Sequence, residues 1–554
     1  MRQRIQGMSQ PNPVKNRLSG EVNIETIQAL EEQIRKHERT VIELKRTRNS
    51  LLNVSKLPPE VLGDIFRWNV TLKEAFDGLE KKSRNFLFVC HHWFEVASAT
   101  PEVWSFWGNT PKDWARWHRH PGTSPLDLVL GGIDHDDGTF NITLRDALQD
   151  RAERDAIRRV HLWSGDAAFL ASIISPLAAT GQGVRSNGME SFILTNDDDT
   201  PVDVSKFFAH YRFPKLQRLA LDSCSIASWD LLTSRTTVLT SLALSFKKPS
   251  PTPTTSQLLS ILASNPSLRR VSLSRHAVPE DGGGEPSYRV SLHHLRDLEL
   301  AGGLRHVIGL LHRLDYPANV DLAITLRDHT VADIARIVGP YLRDYLRCRG
   351  RSRNGLGLSV SRFGHRTTLH VADVGRMDLS TPVWVQISSF VMITMELEPT
   401  PQAQGLSEKW FLDLIAHFPR DEIVSFRSWD QPTTIQDVSA QFPNLRAIHS
   451  GSMPLPAAFP ESNLDGDEVL LPSLQHVFLE RPVVYGGDWS PLVAFLACRA
   501  SSGNRLESLT VTDSHMCPRM EEHVRTMVQE FRSNRPRQMC PFGTCIRTDL
   551  VPGV

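Results

Sequence analysis

The sequence predicts a mixed α/β protein, in which an N-terminal helical segment precedes a long region of alternating strands and helices. Two observations support this prediction. Between Ile27 and Trp104, apolar residues recur at the three- and four-residue spacing of helices. From about residue 120 onward, short apolar strands alternate with helical runs, which indicates an irregular α/β solenoid over residues 120–530. We expect residues 1–20 to be a disordered tail and residues 531–554 to be a flexible tail.

The composition argues against several classes of protein. Lys and Arg together number 62, and Asp and Glu also number 62, so no overall charge favours nucleic acid or an anionic membrane. No apolar run approaches the roughly 18 residues that a membrane-spanning helix needs. The 7 cysteines show no disulfide spacing. We therefore expect a soluble protein of the cytoplasm, the nucleus or both, without nucleic-acid or membrane partners.

The first predicted element is an amphipathic, coiled-coil-like helix within residues 21–53. Its apolar positions repeat at intervals of three and four residues, and they are Ile27, Leu30, Ile34, Val41, Leu44 and Leu51. His37 and Arg48 interrupt this seam. The seam either contacts a coiled-coil partner or packs against the protein itself.

A compact group of helices is predicted over residues 54–108. Pro58 and Pro59 end the preceding helix and suit the first turn of the next one, where the missing backbone N–H has no partner to lose. Further apolar helical stretches follow, and Pro101 ends the last of them. A unit this small has a marginal core, so an exposed apolar face on it would be stabilised by a partner.

The order of motifs in this group resembles the F-box family. The residues that carry the resemblance are Leu57-Pro58-Pro59-Glu60, Ile65-Phe66, Val89-Cys90-His91-His92-Trp93 and Pro101-Glu102-Val103-Trp104. The sequence departs from the family pattern at His91 and Phe94, where basic residues are common, and in the long linker between the two halves.

The resemblance implies a docking module that binds a small Skp-type adaptor, and through it a cullin scaffold and a ubiquitin-conjugating enzyme. Interfaces of this kind draw most of their binding energy from a few buried apolar anchors. The expected adaptor contacts are Leu57, Pro58, Pro59, Val61, Leu62, Ile65, Phe66, Val89, Cys90 and Trp93. The alternative for Trp93, and for Trp104, is that these large aromatic residues hold the small helical unit together.

A Leu-x-x-Leu/Val-x-Leu pattern recurs within residues 120–530. Copies begin at Leu216, Leu268, Leu295, Leu445, Leu474 and Leu506, and near neighbours lie 27, 29 and 32 residues apart. This period is close to that of leucine-rich repeats, which the region resembles. The asparagine usual after the strand motif is missing, and residues 330–420 contain no clear copy. A more globular α/β domain is therefore the alternative.

In a solenoid, the outward positions of each strand are free of the core and can contact a ligand. Residues at such positions are candidate contacts, and they are Gln217, Arg218, Arg269, Arg270, Arg296, Arg446 and Gln475. Of these, the four arginines Arg218, Arg270, Arg296 and Arg446 are the predicted target contacts. Guanidinium groups bind carboxylates and phosphates, which suggests an acidic or phosphorylated segment on a protein target. The alternative is that these arginines are only solvated.

Motifs for catalysis or metal binding find little support. The sequence lacks a Gly-x-Ser-x-Gly elbow, a phosphate-binding loop, a dinucleotide-binding glycine pattern and a His-Glu-x-x-His helix. The loop at 134–138 resembles the start of a calcium site, but Arg145 stands where such a loop needs a Glu. Cys540 and Cys545 have only His515 and Cys517 as a nearby second pair for zinc.

We therefore expect no enzymatic activity, no metal and no cofactor. The leading hypothesis is a substrate-recognition subunit of an SCF-type cullin ubiquitin ligase, in which the F-box binds the adaptor and the repeat region binds the target. The alternative is an F-box scaffold protein that acts outside ubiquitin transfer. The sequence does not identify the target.

Overall fold

In the computed structural model, the described residues are 24–69, 85–104, 106–107, 126–131, 157–178, 185–186, 188–236, 238–248, 252–280, 289–327, 333–349, 355–363, 366–373, 391–396, 409–429, 435–451, 471–480, 482, 489–512, 516 and 518–533. The chain divides into two compact units. The first comprises Met1–Phe106 and Trp114–Ser124, and the second comprises Trp107–Asp113 and Pro125–Val554. The predicted tail at 1–20 and residues 534–554 of the other predicted tail lie outside the described residues.

The described part of the first unit is helical. Its α-helices are α1 (Ile24–Ser50), α2 (Pro59–Asn69) and α3 (His91–Ala99), and its 3-10 turns are Asn53–Lys56, Asn85–Phe88 and Pro101–Val103. Helix α1 lies within the range predicted for the amphipathic helix. Its seam is exposed along its length, from Ile27 at 43% to Leu44 at 65%.

The small core of the first unit forms where α2 meets α3 and the 3-10 turns. Phe66 stacks on Phe86 with 4.5 Å between ring centroids, and Trp93 lies 5.2 Å from Phe66. Trp104 is buried, and its Nε1 donates to the Ala97 carbonyl at 2.7 Å. Trp104 therefore holds the helical unit together, as the alternative for it proposed.

The second unit contains most of one large sheet. Its sheet strands are β1 (Leu126–Gly131), β2 (Ile157–Ser164), β3 (Ser191–Asn196), β4 (Arg218–Asp222), β5 (Ser241–Phe246), β6 (Arg270–Arg275), β7 (Asp297–Gly303), β8 (Asp321–Arg327), β9 (Leu356–Phe363), β10 (Arg366–Asp373), β11 (Val391–Glu396), β12 (Ile423–Trp429), β13 (Ala447–Gly451), β14 (His476–Glu480), β15 (Ser508–Thr512) and β16 (Glu530–Ser533). The last strand extends three residues past the predicted boundary at 530.

Helices alternate with these strands. They are α4 (Ala167–Ala178), α5 (Ser205–His210), α6 (Asp230–Arg235), α7 (Thr255–Ser264), α8 (Leu304–Leu311), α9 (Gly339–Arg349), α10 (Lys409–Ile415), α11 (Ile435–Gln441), α12 (Ser490–Ser501) and α13 (Pro518–Met527). Short two-residue strands pair beside the large sheet, for example Val202–Asp203 with Cys224–Ser225. The mixed α/β class predicted from the sequence is confirmed. None of the described helices is both long enough and apolar enough to cross a membrane.

From β1 to β8 each strand pairs in parallel with the next one in the chain, and the same holds from β12 to β16. Between these two runs the order reverses. Strand β8 pairs with β11, β11 with the antiparallel β10, β10 with β9, and β9 with β12. This inverted block lies in the region where the sequence showed no copy of the Leu pattern.

The Leu pattern supplies the core of the sheet. Leu219, Leu242, Val271 and Leu298 are in register on β4 to β7, and each is at most 1% exposed. The preceding Leu of the motif is buried as well, for example Leu216 and Leu268. Because strand side chains alternate between the two faces, the intervening residues face outward. The motif therefore separates a packed face from a face that is available for contacts.

Candidate functional site

The first candidate site is a set of exposed apolar side chains on the helical unit. Val61, Ile65 and Trp68 are 43%, 38% and 73% exposed and lie four and three residues apart, so they share one side of α2. Val89 is 51% exposed at the start of the second half of the motif, and Phe94 on α3 is 47% exposed. We refer to these five residues as the docking face.

The structure places the predicted adaptor contacts in three environments. Val61, Ile65 and Val89 are exposed, as are Pro58 and Pro59. Leu57, Cys90 and Trp93 are half-buried, and Leu57 and Trp93 pack against the core of the unit.

Leu62 and Phe66 correct the prediction, because both side chains have 0% exposure and so face the interior. They lie four residues apart and are rotated about 100° around α2 from Val61 and Ile65. Gly63 is on the inner side too, where an added Cβ would lie 3.0 Å from the Thr100 Oγ1 atom. Gly63 therefore lets the buried side of α2 approach Thr100 closely.

Two residues of the docking face were not among the predicted contacts. Trp68 follows Ile65 by three residues, so the helical period of α2 could have identified it. Phe94 was noted only as a departure from the family pattern.

The polar groups around the docking face are paired locally. Asp64 and Arg67 form an exposed ion pair on α2 at 3.1 Å, and His91 Nε2 lies 3.1 Å from the Glu95 carboxylate on α3. Exposed pairs of this kind contribute at most about 1 kcal/mol. The chemistry of this face is therefore mainly apolar contact.

The second candidate site is an open cleft of about 940 Å³ at the edge of the sheet where β4 to β7 begin. Its rim carries four arginines, and they are Arg218, Arg269, Arg270 and Arg296. Its lining also includes the apolar side chains of Ile193, Ala220 and Val238. We refer to this site as the basic cleft.

Backbone hydrogen bonds from strand to strand place the arginines on this rim. The Arg269 and Arg270 N–H groups donate to the Thr240 carbonyl at 2.8 and 3.0 Å. The N–H groups of Arg296 and Asp297 then donate to the Arg269 carbonyl at 2.7 and 3.0 Å. Each arginine directly follows a buried Leu of the motif or comes one residue later, so the repeat itself brings these cations to one edge.

The arginines of the basic cleft differ in their ion pairing. Arg270 Nε lies 3.2 Å from the Asp297 carboxylate, and both side chains are well exposed. Arg218, Arg269 and Arg296 form no ion pair with any carboxylate that the structure describes. The cleft therefore carries an excess of positive charge, although the protein as a whole is neutral.

The structure brings together three of the four predicted target contacts. Arg218, Arg270 and Arg296 lie together in the basic cleft, and Arg269 and His294 join them. Arg446 lies beyond the inverted block, where its N–H donates to the Val424 carbonyl at 2.7 Å. The reversed strand order separates Arg446 from the other three.

A further polar group lies on the outward face beyond the inverted block. His449 on β13 is 3% exposed, and its Nε2 lies 3.3 Å from the Glu480 carboxylate on β14. Burial, with the neighbouring Arg427, lowers the pKa of His449 to about 3, so the ring is neutral at physiological pH. The group has the character of a buried polar contact within the sheet.

Within the described residues, no cluster of three or more His, Cys, Asp and Glu side chains could hold a metal ion. The loop at 134–138 and the pair Cys540 and Cys545 lie outside the described residues.

Comparison with models of protein families found no match to this chain. A search of curated proteins also found no similar sequence. The resemblance to the F-box family therefore rests on the motifs at residues 57–104.

Proposed function

We propose that this protein is the substrate-recognition subunit of an SCF-type ubiquitin ligase. In this proposal the helical unit is an F-box that binds a Skp-type adaptor, and through it a cullin. The large sheet is a leucine-rich-repeat-like solenoid that binds the target protein. The protein contributes binding and positioning, and it performs no bond chemistry itself.

The observation that carries the proposal is the exposure of Val61, Ile65 and Val89. These residues belong to the F-box-like motifs, and the small core of the unit leaves them in water. Full burial of an apolar side chain of this size stabilises a protein by roughly 1.5–3 kcal/mol relative to full exposure. A partner that covered the docking face would recover part of this energy, and a few buried anchors carry most of the binding energy of an interface.

The repeat-like part of the proposal draws support from the two runs of parallel strands joined by helices. In the first run, strands β4 to β6 alternate one buried row of Leu and Val residues with one more exposed outward row. In the second run, strands β13 to β15 bury most positions of both rows. The inverted block is a departure from regular repeats, and it divides the outward face into two parts.

The test is a pull-down of the full chain with a purified Skp-type adaptor. The variant Ile65→Asp/Val89→Asp places two charges on the docking face, and it should weaken adaptor binding roughly a hundredfold or more. The matched control Val41→Asp/Leu44→Asp changes two exposed apolar residues of α1 in the same unit, and it should bind as the wild type does. Failure of the wild-type chain to bind any adaptor would refute the proposal.

The scaffold hypothesis has a separate outcome. If the chain binds the adaptor but the complex does not recruit a cullin, the protein acts outside ubiquitin transfer. Sedimentation of the chain, the adaptor and a cullin together distinguishes the two functions.

A further inference from the structure

The arginines of the basic cleft lie on neighbouring strand ends of the sheet. The Arg296 N–H donates to the Arg269 carbonyl, so these residues begin neighbouring strands and their backbones are about 5 Å apart. Like charges at adjacent positions of a sheet disfavour the folded state. Neither arginine forms an ion pair within the described residues. A bound anion would remove this repulsion.

The cations form a row instead of converging on one point. Arg218 pairs in register with Ser241, and Ser241 with Arg270, so Arg218 lies two strands from β6, or about 10 Å along the edge. A peptide in the polyproline II conformation covers about 9 Å in three residues, and its side chains three residues apart point the same way. Two carboxylates three residues apart would therefore reach Arg218 at one end and the Arg269–Arg296 pair at the other. A single phosphate could contact only one end of this row.

The rest of the lining also favours a peptide. Ile193, Ala220 and Val238 provide apolar contacts that a free inorganic ion could not use. Among the described lining residues there is no Phe, Tyr or Trp on which nucleic-acid bases could stack. Asp222 and Glu299 lie on the same outward face, and they would repel a long polyanion.

We propose that the basic cleft binds an extended segment of the target protein that carries clustered Asp or Glu side chains. Arg218 contacts one carboxylate, and Arg269 and Arg296 share another about three residues away. The inference rests on the proposed role of the sheet in target recognition, and it adds the chemical class of the target.

The test uses the full chain and three immobilised peptide libraries with degenerate flanking positions. The first library has Glu at two positions three residues apart, the second has Gln there, and the third has a single phosphoserine. The Glu library should retain the wild-type chain at least about tenfold better than the Gln library, since two charge-assisted contacts are gained. The variant Arg269→Gln/Arg296→Gln keeps only the Arg218 contact, so it should lose most of the preference for the Glu library.

The matched control is Arg305→Gln/Arg343→Gln, which removes two exposed arginines from α8 and α9 and should leave retention unchanged. Equal retention on the Glu and Gln libraries would overturn the proposal, as would an unchanged Arg269→Gln/Arg296→Gln variant. Preference for the phosphoserine library, or displacement by single-stranded DNA, would overturn the assignment to a carboxylate segment. Adaptor binding by the same variants is measured in parallel. A chain that binds the adaptor but shows no preference for the Glu library refutes only the acidic-segment proposal, whereas a chain that binds no adaptor refutes the ligase proposal.

Discussion

The two units of the chain differ in how many large apolar side chains they leave exposed. Among the described residues, every exposed large hydrophobic side chain except Trp163 and Val238 belongs to the first unit. In the second unit, strands with alternating patterns bury their apolar rows beneath helices. The first unit is too small to bury all its apolar residues, and it leaves a helix seam and a docking face in water.

This difference indicates where each unit obtains its stability. A large sheet covered by helices buries enough apolar surface to be stable alone, whereas a unit of about 50 residues is marginal. Exposed apolar residues on the small unit are therefore candidates for apolar contacts, and outward charged residues on the large unit are candidates for contacts through charge. Four variants test this contrast.

The largest effect is expected in the core of the sheet. Phe192 is fully buried, and its ring centroid lies 4.7 Å from that of Phe207. Phe192→Ala should lower the free energy of unfolding by roughly 3–5 kcal/mol, because it leaves a cavity. The control Val238→Ala, at an exposed position, should cost less than about 1 kcal/mol. Urea denaturation measures both, and similar losses would contradict the contrast between buried and exposed positions.

The next effect separates two neighbours on α2. Phe66 is fully buried and stacks on Phe86, whereas Ile65 is 38% exposed. Phe66→Ala should destabilise the helical unit by roughly 3 kcal/mol, and Ile65→Ala by less than about 1 kcal/mol. Hydrogen–deuterium exchange in α2 and α3 reports this stability directly. A large loss in Ile65→Ala would show that the docking face is part of the core.

A third prediction concerns pH and the outward face of the sheet. His161 is 3% exposed, and burial, with the nearby Arg159 and Arg218, lowers its pKa from 6.5 to about 4. The unfolded chain therefore binds this proton first as the pH falls. The corresponding stability is present above about pH 6.5 and is lost as the pH falls toward 4.

Between about pH 7.5 and about pH 5, the wild type should lose roughly 2 kcal/mol more stability than His161→Gln. Urea denaturation at both pH values gives the two differences. Equal pH dependence in the two proteins would show that His161 is not a buried neutral histidine.

The smallest effect is expected on α1. Leu30 and Leu44 are 53% and 65% exposed, so Leu30→Ala/Leu44→Ala should change the stability of the isolated chain by less than about 0.5 kcal/mol. Alanine keeps the helix propensity high. A loss above about 1 kcal/mol would show that the seam is covered by a partner or by the protein itself, and light scattering would then detect self-association.

The strand pattern of the large unit could be predicted from the sequence, because apolar residues at alternate positions of a strand all lie on its buried face. The copies of the Leu motif that begin at Leu216, Leu268 and Leu295 place their apolar side chains in the core of the sheet. Three of the four predicted target arginines lie in one cleft. The sequence could not assign sides on α2, since Val61, Leu62, Ile65 and Phe66 are all apolar. Only Gly63 packing near Thr100, and Phe66 packing on Phe86, distinguishes the two sides.

The sequence by itself determined the mixed α/β class, the helical group that carries F-box-like motifs, and the alternation that exposes arginines on the sheet. These features depend on local spacing along the chain. Only the tertiary structure decided the inverted order of β9 to β11, the separation of Arg446 from the basic cleft, and the lack of an ion pair from Arg269 or Arg296 to any carboxylate within the described part of the chain. Strand order and ion pairing depend on residues that are distant in the sequence, and local patterns do not contain that information.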